Sequence, residues 1–514
     1  MADTQREIER KFEFTEADGD KTRLPDLTRV PGIDAVVDQG VVDLDAVYYD
    51  TEDLRLDADS VTLRRRTGGS DAGWHLKFPV ALGIRDEIRA PLSDRLPRTL
   101  SALLRSRVRA GQLVPVVRLL SSRDVRHLLA EDGSLLAEVS IDTVRAEGLR
   151  AGSSSTAWTE IEVELADGVE DESILDRVEK RLRKAGIRPA TSPSKVARAL
   201  HETAPPKPDE PPARKTEPAD GTAGAHVLGF LRTQRDALVA LDPAVRRELP
   251  DSVHQMRVAT RRLRSAFKTY ARVLDRAATD PVGDELQWLA AELGVDRDQE
   301  VLTERLKARI AALPRTLLLG PVRGRLRIWS TARRSGSRRT TIAVLDSKRY
   351  LALLDALDAL LAAPPLLPDA GRPVGDVLVK AVLKDYDRLA GRVRTALGLA
   401  PGHERDLALH QARKAAKRAR YAAEAAAPAL GKPAEKFAKR MKGVQNVLGD
   451  HQDSVVARDA LRTLAAQAHA AGESAFTWGL LYGREEAAAA DRERELPEVW
   501  ARAAEARLKR RPGA

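Results

Sequence analysis

The sequence predicts two folded units of different class: an α+β unit built on a closed antiparallel sheet over residues 1–202, and an all-α unit over residues 225–508. Three observations predict this. In the first part, segment after segment alternates charged and apolar residues with a period of two, the pattern of strands with one wet face. From about Ala225 the periodicity is helical throughout, and the composition is rich in Ala, Leu and Arg. Between the two, residues 203–224 hold the run Pro-Pro-Lys-Pro-Asp-Glu-Pro-Pro-Ala-Arg-Lys, an extended spacer with no apolar anchor.

Composition narrows the function classes. Of 514 residues, 43% are apolar, enough for a core in each unit. There is no cysteine, which excludes disulfides and thiolate metal sites and leaves oxygen and imidazole ligands. Aromatics are only 4%, which argues against a stacking surface for single-stranded nucleic acid. No signal-peptide stretch follows Met1 and no apolar run reaches spanning length, so a soluble cytoplasmic protein with no membrane partner is expected. The net charge of +10 is unevenly placed: residues 1–202 carry 31 Lys+Arg against 37 Asp+Glu, and the remainder carries 55 against 39. An acidic first unit and a basic second unit have different electrostatic tasks, and the basic one attracts polyanions.

The first unit is organised around Glu7-Ile8-Glu9-Arg10-Lys11-Phe12-Glu13. As a strand it places Glu7, Glu9 and Lys11 on one face, with Ile8 and Phe12 on the other. Two carboxylates and an ammonium on one face can hold a divalent cation and an anionic oxygen together. Further strands are expected at 44–49, 61–66, 73–78, 85–90, 135–144 and 159–165. Turn signals such as Thr67-Gly68-Gly69-Ser70 and Glu131-Asp132-Gly133 separate several of them. Helices are expected at 100–109 and 172–184, the second ending at Gly186. The alternation then pairs Arg64 with Arg66, His75 with Lys77, and Glu138 with Asp142. It also groups Arg85, Glu87 and Arg89, and likewise Glu160, Glu162 and Glu164. Charged faces of mixed sign cannot form the packed core. A sheet that buries its apolar face outward under helices and turns its charged face inward is a barrel with a polar lumen. The plainer reading is a polar barrel without catalysis.

These residues resemble the CYTH domain, or triphosphate tunnel metalloenzyme family. Glu7-x-Glu9-x-Lys11 is similar to its N-terminal signature, Thr62-Leu63-Arg64-Arg65-Arg66 to its paired-arginine strand and Trp74-His75-Leu76-Lys77 to its lysine strand. Arg85-Asp86-Glu87, Arg123, the strand holding Glu138 and Asp142, the Glu160–Glu162–Glu164 strand and Ser194-Lys195 follow in the family's order. Arg65 and Arg85 add charge beside the motif. The resemblance implies an eight-stranded antiparallel tunnel that hydrolyses triphosphates with Mg²⁺ or Mn²⁺. By the same resemblance Glu7, Glu9, Asp142, Glu160 and Glu162 are metal-side carboxylates. Lys11, Arg64, Arg66, Lys77, Arg123 and Lys195 bind the triphosphate, with Glu87 a further member.

In the second unit, helix breakers fall near Pro243, Pro250, Pro281, Pro314, Pro321, 364–373, Pro401, Pro428 and Pro433. One helix, 251–275, carries His254, Arg257, Arg261, Arg264 and Lys268 at steps of 3, 4, 3 and 4, a single basic stripe beside an apolar one, with Arg262 off it. The segment 253–264 aligns without gaps with 409–420, so His410, Arg413, Lys417 and Arg420 repeat the stripe. Leu293-Gly294 through Asp298 likewise aligns with Leu448-Gly449 through Asp453. Two copies of a helical unit, related by a pseudo-two-fold, are expected. Metal binding by His254 or His410 is disfavoured, because no carboxylates cluster beside them in sequence. The Arg333–Arg339 cluster is expected in a loop, and the tail 509–514 is basic.

This unit resembles the CHAD domain, which implies two four-helix bundles with a basic groove for inorganic polyphosphate. The binding candidates are His254, Arg257, Arg261, Arg264, His410, Arg413, Lys417, Arg420 and His451. Asp298 and Asp453 would orient cations, and Arg297 and Tyr421 are further candidates. The plainer reading is a solvated basic helix face. The expected function is metal-dependent hydrolysis of inorganic triphosphate or a related short triphosphate, with polyphosphate binding that could localise the protein to polyphosphate granules. Alternatives are a non-catalytic polyphosphate-binding protein, a class IV-like adenylate cyclase, for which no purine-recognition signature is seen, and nucleic-acid binding, against which the low aromatic content weighs.

Overall fold

The computed structural model describes residues 3–14, 24–169, 171–205 and 218–504. It divides into two compact units, Met1–Ala213 and Arg214–Ala514. The spacer run 206–217 and the basic tail 509–514 lie outside the described residues, as do the side chains of Arg297, Asp298 and 332–337.

Among its described residues the first unit has the strands β1 (Asp3–Glu13), β2 (Ala35–Asp50), β3 (Thr62–Thr67), β4 (Gly73–Ala81), β5 (Ile84–Pro91), β6 (Val114–Leu129), β7 (Leu135–Gly148), β8 (Ser155–Leu165) and β9 (Arg188–Pro189). Its helices are α1 (Arg55–Ala58), α2 (Arg98–Leu103), α3 (Arg105–Val108), α4 (Ser173–Lys184) and α5 (Lys195–Glu202). The sheet runs β5-β4-β3-β2-β6-β7-β8-β1, and β1 returns to pair with β5, closing an antiparallel ring of eight strands. β1 closes the ring by changing partner midway: its residues 3–8 pair with β5 and its residues 9–13 with β8. At the changeover the Glu9 amide donates to the Gly83 carbonyl at 2.9 Å. Gly83 has φ +74°, and a Cβ there would stand 2.7 Å from the Glu9 carbonyl oxygen. Only glycine lets the β4–β5 turn approach β1 this closely.

The apolar faces point outward, as the alternation requires, and helices cover them. Phe12, Val139, Ile161 and Val163 pack under Ile174, Val178 and Leu182 of α4. Val117, Ala146 and Trp158 pack under Val196 and Ala199 of α5. Leu63, Leu76 and Ile88 pack with Leu56 of α1 and Leu100 of α2. α4 ends where Gly186 (φ +90°) allows its amide to reach Arg183 and that of Ile187 to reach Leu182.

Two strand expectations fell short. β2 begins at Ala35 rather than Leu44, because Asp38-Gln39-Gly40 is a bulge and not a turn: Gly40 has φ +84° and its amide is bonded to Asp38 Oδ1 at 2.7 Å. β6 was not visible as a strand. Val116 and Val117 are both buried, which breaks the period of two beside a second register shift opposite Tyr48 and Tyr49. The expected helix at 100–109 is two short ones, α2 and α3, joined at Leu104.

The second unit contains α6 (Ala223–Arg246), α7 (Ser252–Thr269), α8 (Arg276–Glu292), α9 (Gly294–Ala311), α10 (Val322–Asp346), α11 (Lys348–Ala362), α12 (Val374–Gly398), α13 (His403–Leu430), α14 (Lys432–Ala470) and α15 (Phe476–Ala504). The repeated segments fall on α7 and α13, and again on the α8–α9 junction and the middle of α14. The first copy breaks at Leu293/Gly294; the second runs through Leu448-Gly449 without interruption. Each copy contributes to both cores. The larger core joins α6, α7, α8 and α11 to α12, α13 and the first half of α14. The smaller joins α9 and α10 to the second half of α14 and the first half of α15. Pro243, Pro281 and Pro428 lie inside helices rather than breaking them, each within about two turns of an end. The Arg333–Arg339 run lies within α10, not in a loop. Among the described residues no helix is long and apolar enough to cross a membrane.

Candidate functional site

The eight-strand ring encloses a cavity of about 470 Å³, lined by Glu7, Glu9 and Lys11 of β1, Arg64 and Arg66 of β3, Lys77 of β4, Arg123 of β6, Glu162 of β8 and Lys195 at the start of α5. Nine of the twelve residues expected in the tunnel site are thus brought to one cavity from six elements. The other three stand behind it. Glu87 and Asp142 are fully buried and Glu160 is nearly so, each facing a lining cation. Trp158 Nε1 donates to Glu160 Oε2 at 2.6 Å, which commits that oxygen to the wall.

Glu162 is the hub. It pairs with Lys11, with Arg123 Nη2 at 2.8 Å and with Lys195 Nζ at 2.5 Å. Burial pushes its carboxyl up, but these three cations outweigh burial and hold it well below the usual range. Lys195 Nζ also lies 2.9 Å from Asp142 and 3.0 Å from Glu160. It is placed there because Ser194 caps α5, accepting from the Ala197 amide at 3.1 Å, so that Lys195 is the first helical residue. Burial works against the Lys195 charge, yet its carboxylate partners raise its pKa. Lys11 Nζ is also 3.1 Å from Glu9, whose carboxyl is lowered by Lys11, Lys77 and Lys195 against the opposing effect of burial.

A second group lies across the lumen. Lys77 Nζ is 2.5 Å from Glu7 and 3.5 Å from Glu87. Glu87 faces His75 Nδ1 at 2.9 Å, and Arg64 at 3.6 Å. Burial pushes His75 down to about 4, so it is neutral at pH 7. Arg66 pairs with Asp71. Burial, then the like charges of Arg64 and Arg123, push its guanidinium down to about 9. Arg66 is therefore a cation whose surroundings favour an added anion.

Some lining residues were not in the expected site. Glu164 and Glu138 face the cavity with Arg85, Arg89 and Tyr48. Burial, then Glu7, pushes Glu164 up to about 8. The signal was present: Glu164 shares the face of Glu160 and Glu162 by simple alternation. Carboxylates from β1, β7 and β8 that converge on one lumen, with oxygen the only anionic donor type, suit a hard divalent cation.

In the helical unit, α7 and α13 pack on each other through their C-terminal halves. Tyr270 Oη donates to the Ala422 carbonyl at 3.3 Å, and Arg418 Nη2 to the Lys268 carbonyl at 2.9 Å. Glu424 sits between Arg262 of α7 at 3.0 Å and Arg420 of α13 at 3.3 Å. The ammonium of Lys268 is lowered by burial and then by Arg264 and Arg418, so basic groups of both copies converge here. Arg261, Arg264, Lys417 and Arg420 are half-buried, while Arg257 is buried. His254 lines a separate cleft of about 1020 Å³ between the start of α7, α9 and α10. His410 Nδ1 faces Gln452 Oε1 at 2.5 Å, and Arg413 lies 3.7 Å from Asp453. His451 stands beside Gln452 on α14 and turns away from His410. It is 2% exposed and faces Glu493 at 3.1 Å and Asp406 at 3.3 Å.

Comparison with known proteins agrees with these two architectures. Residues 5–200 match the CYTH domain and residues 229–462 the CHAD domain. Two uncharacterized proteins of Mycobacterium tuberculosis, from strains CDC 1551 / Oshkosh and ATCC 25618 / H37Rv, are each 40% identical over 508 residues, spanning 96% of this chain and 95% of theirs. Among solved structures, PptA from Streptomyces chartreusis is 24% identical and covers 55% of this chain and 99% of its own, with a TM-score of 0.47. The CHAD domain from the plant Ricinus communis is 25% identical and covers 59% and 99%, with a TM-score of 0.44. The chain belongs to the family of proteins in which a CYTH domain is followed by a CHAD domain.

Proposed function

We propose that the tunnel hydrolyses inorganic triphosphate or a related short triphosphate with Mg²⁺ or Mn²⁺, and that the helical unit binds inorganic polyphosphate. One observation carries the first reading. The lumen interleaves carboxylates and cations so that Lys11, Arg123 and Lys195 converge on Glu162, while Lys77 and Arg64 stand across from them. Such a lumen can offer carboxylate oxygens to a metal and N–H donors to phosphate at the same time.

Glu7, Glu9 and Glu162 would hold the cation, with Glu164 and Glu138 within the same lumen. When bound, the metal would neutralise charge that develops on the transferred phosphoryl group. The chain's own residues orient the substrate. Arg123 is locked by Asp142, so its guanidinium plane is fixed before any anion arrives. Lys11 and Lys77 are tethered to carboxylates that a metal would engage, which frees their ammonium groups for phosphate oxygens. Arg66, paired with Asp71 and standing beside the like charges of Arg64 and Arg123, offers a further donor to an anion.

For the helical unit, the support is that the two copies meet where Arg418 Nη2 of α13 donates to the Lys268 carbonyl of α7 at 2.9 Å while its Nε pairs with Asp385 at 2.8 Å, on a part of the chain whose net charge is +16. Binding to long polyphosphate would also localise the protein to polyphosphate granules. The test is phosphate release by purified protein from triphosphate, ATP and thiamine triphosphate with either metal. Turnover of triphosphate supports the hydrolase. Tight triphosphate binding without turnover would leave a non-catalytic binding protein.

A further inference from the structure

The geometry points to a second metal site, outside the tunnel and of different ligand chemistry: we propose that His451, Asp406 and Glu493 bind a transition-metal dication such as Zn²⁺ or Mn²⁺ inside the helical unit. The three come from separate helices, α14, α13 and α15. Their ligand atoms, one imidazole nitrogen and two carboxylate oxygens, lie within 4.8 Å of one another. His451 Nε2 is 3.1 Å from Glu493 Oε1 and 3.3 Å from Asp406 Oδ1. Ligands at about 2.0–2.2 Å from one ion stand about 3.0–3.4 Å apart, so little movement is needed to receive one.

The setting is built rather than incidental. His451 is 2% exposed, and it sits on a helix whose neighbouring positions Leu448 and Ser454 are also buried. Each carboxylate is held from outside by an arginine through its other oxygen. Arg458 Nη2 donates to Asp406 Oδ2 at 2.9 Å, and Arg405 Nε lies 3.0 Å from Glu493 Oε2. The inner oxygens are thereby turned toward the imidazole, the outer-shell arrangement that orients metal ligands. The two arginines offset the two carboxylates, which favours moderate over very tight affinity. An imidazole with two carboxylates suits Zn²⁺ over Mg²⁺, and in a given site Zn²⁺ over Mn²⁺. The tunnel, whose lining anionic donors are all oxygen, offers the ligand set that suits Mg²⁺ or Mn²⁺. A cation bound here would tie α13, α14 and α15 together and so brace the helix that carries the His410 stripe.

The test uses untagged full-length protein loaded with Mn²⁺ and read by pulsed electron paramagnetic resonance, which detects a coordinated imidazole nitrogen. Nitrogen modulation is expected in the wild type and in Glu9→Gln, and its loss in His451→Gln. Asp406→Asn is a second variant in case His451→Gln does not fold; it should lower site affinity at least tenfold. Zn²⁺ should raise the melting temperature of the wild type and not that of either helical variant. Absence of nitrogen modulation in the wild type, or its persistence in folded His451→Gln, overturns the proposal and leaves an imidazole held between two carboxylates. The tunnel reading stands or falls separately, on phosphate release.

Discussion

Arg123 holds Asp142 with both arms of its guanidinium, Nε to Oδ1 and Nη2 to Oδ2, each at 2.8 Å. Asp142 is fully buried, and Lys195 at 2.9 Å together with this fork offsets its charge. The pair joins β6 to β7 across the register Arg123↔Asp142 and fixes one wall of the lumen.

Arg123→Lys keeps the charge and loses the fork. It should lower kcat/KM for triphosphate at least tenfold, about 1.4 kcal/mol or more. Arg123→Ala should in addition destabilise the tunnel unit by about 1.5–3 kcal/mol, the range for hydrogen bonds to charged groups. Steady-state kinetics and urea denaturation of both variants check this.

Glu9→Gln should abolish metal-dependent hydrolysis while the protein stays folded. The change removes a charge at a lining oxygen without opening a core cavity, and Lys11 keeps Glu162 as partner. Wild-type turnover together with unchanged metal affinity would place Glu9 outside the metal site.

Arg66→Ala should weaken triphosphate binding or turnover at least tenfold, again about 1.4 kcal/mol or more. Arg66 is buried beside the like charges of Arg64 and Arg123, which offset part of what the loss of its Asp71 ion pair costs, and urea denaturation of the variant separates a folding effect from a binding one. A variant with wild-type kinetic constants would show that Asp71 alone engages it.

The period-two pattern showed the ring's charged interior because side-chain direction in a strand is fixed by backbone geometry. That is why Glu7, Glu9, Lys11, Arg64, Arg66 and Lys77 could be assigned to one face before any coordinates. The same rule reaches its limit where alternation fails. β6 carries a bulge at its adjacent buried valines, Val116 and Val117, so its alternation is broken and Arg123 came only from family resemblance. Depth along the tunnel was not visible either. Glu160, Glu162 and Glu164 share a face, but Glu160 is bonded to Trp158 in the wall while Glu164 faces the cavity. In the helical unit the repeat was readable in residue spacing. The partners of His451 were not, because Asp406 and Glu493 are 45 and 42 residues away and meet it only through helix packing.

Polyphosphate binding should fall steeply with salt, since a polyanion is held by many phosphate contacts. Charge reversal at Arg261 and Lys417 together should remove most of it. His410 is lowered by burial, and then by Lys414, Arg413 and Lys417 against the Gln452 hydrogen bond, so it is neutral at pH 7. It gains charge only as pH falls below about 6.5. Affinity should rise in that acid window, and His410→Gln should flatten the rise. A titration with polyphosphate and with duplex DNA of equal phosphate content decides specificity: equal affinity for both would mean a generic basic surface.

The most direct measurement of the central claim is phosphate release from inorganic triphosphate by the full-length protein, with Mg²⁺ or Mn²⁺ and with a chelator. The tunnel account predicts turnover that needs the metal, stops on chelation and is lost in Glu9→Gln. No release with either metal, from a protein that still binds triphosphate in the lumen, would contradict it.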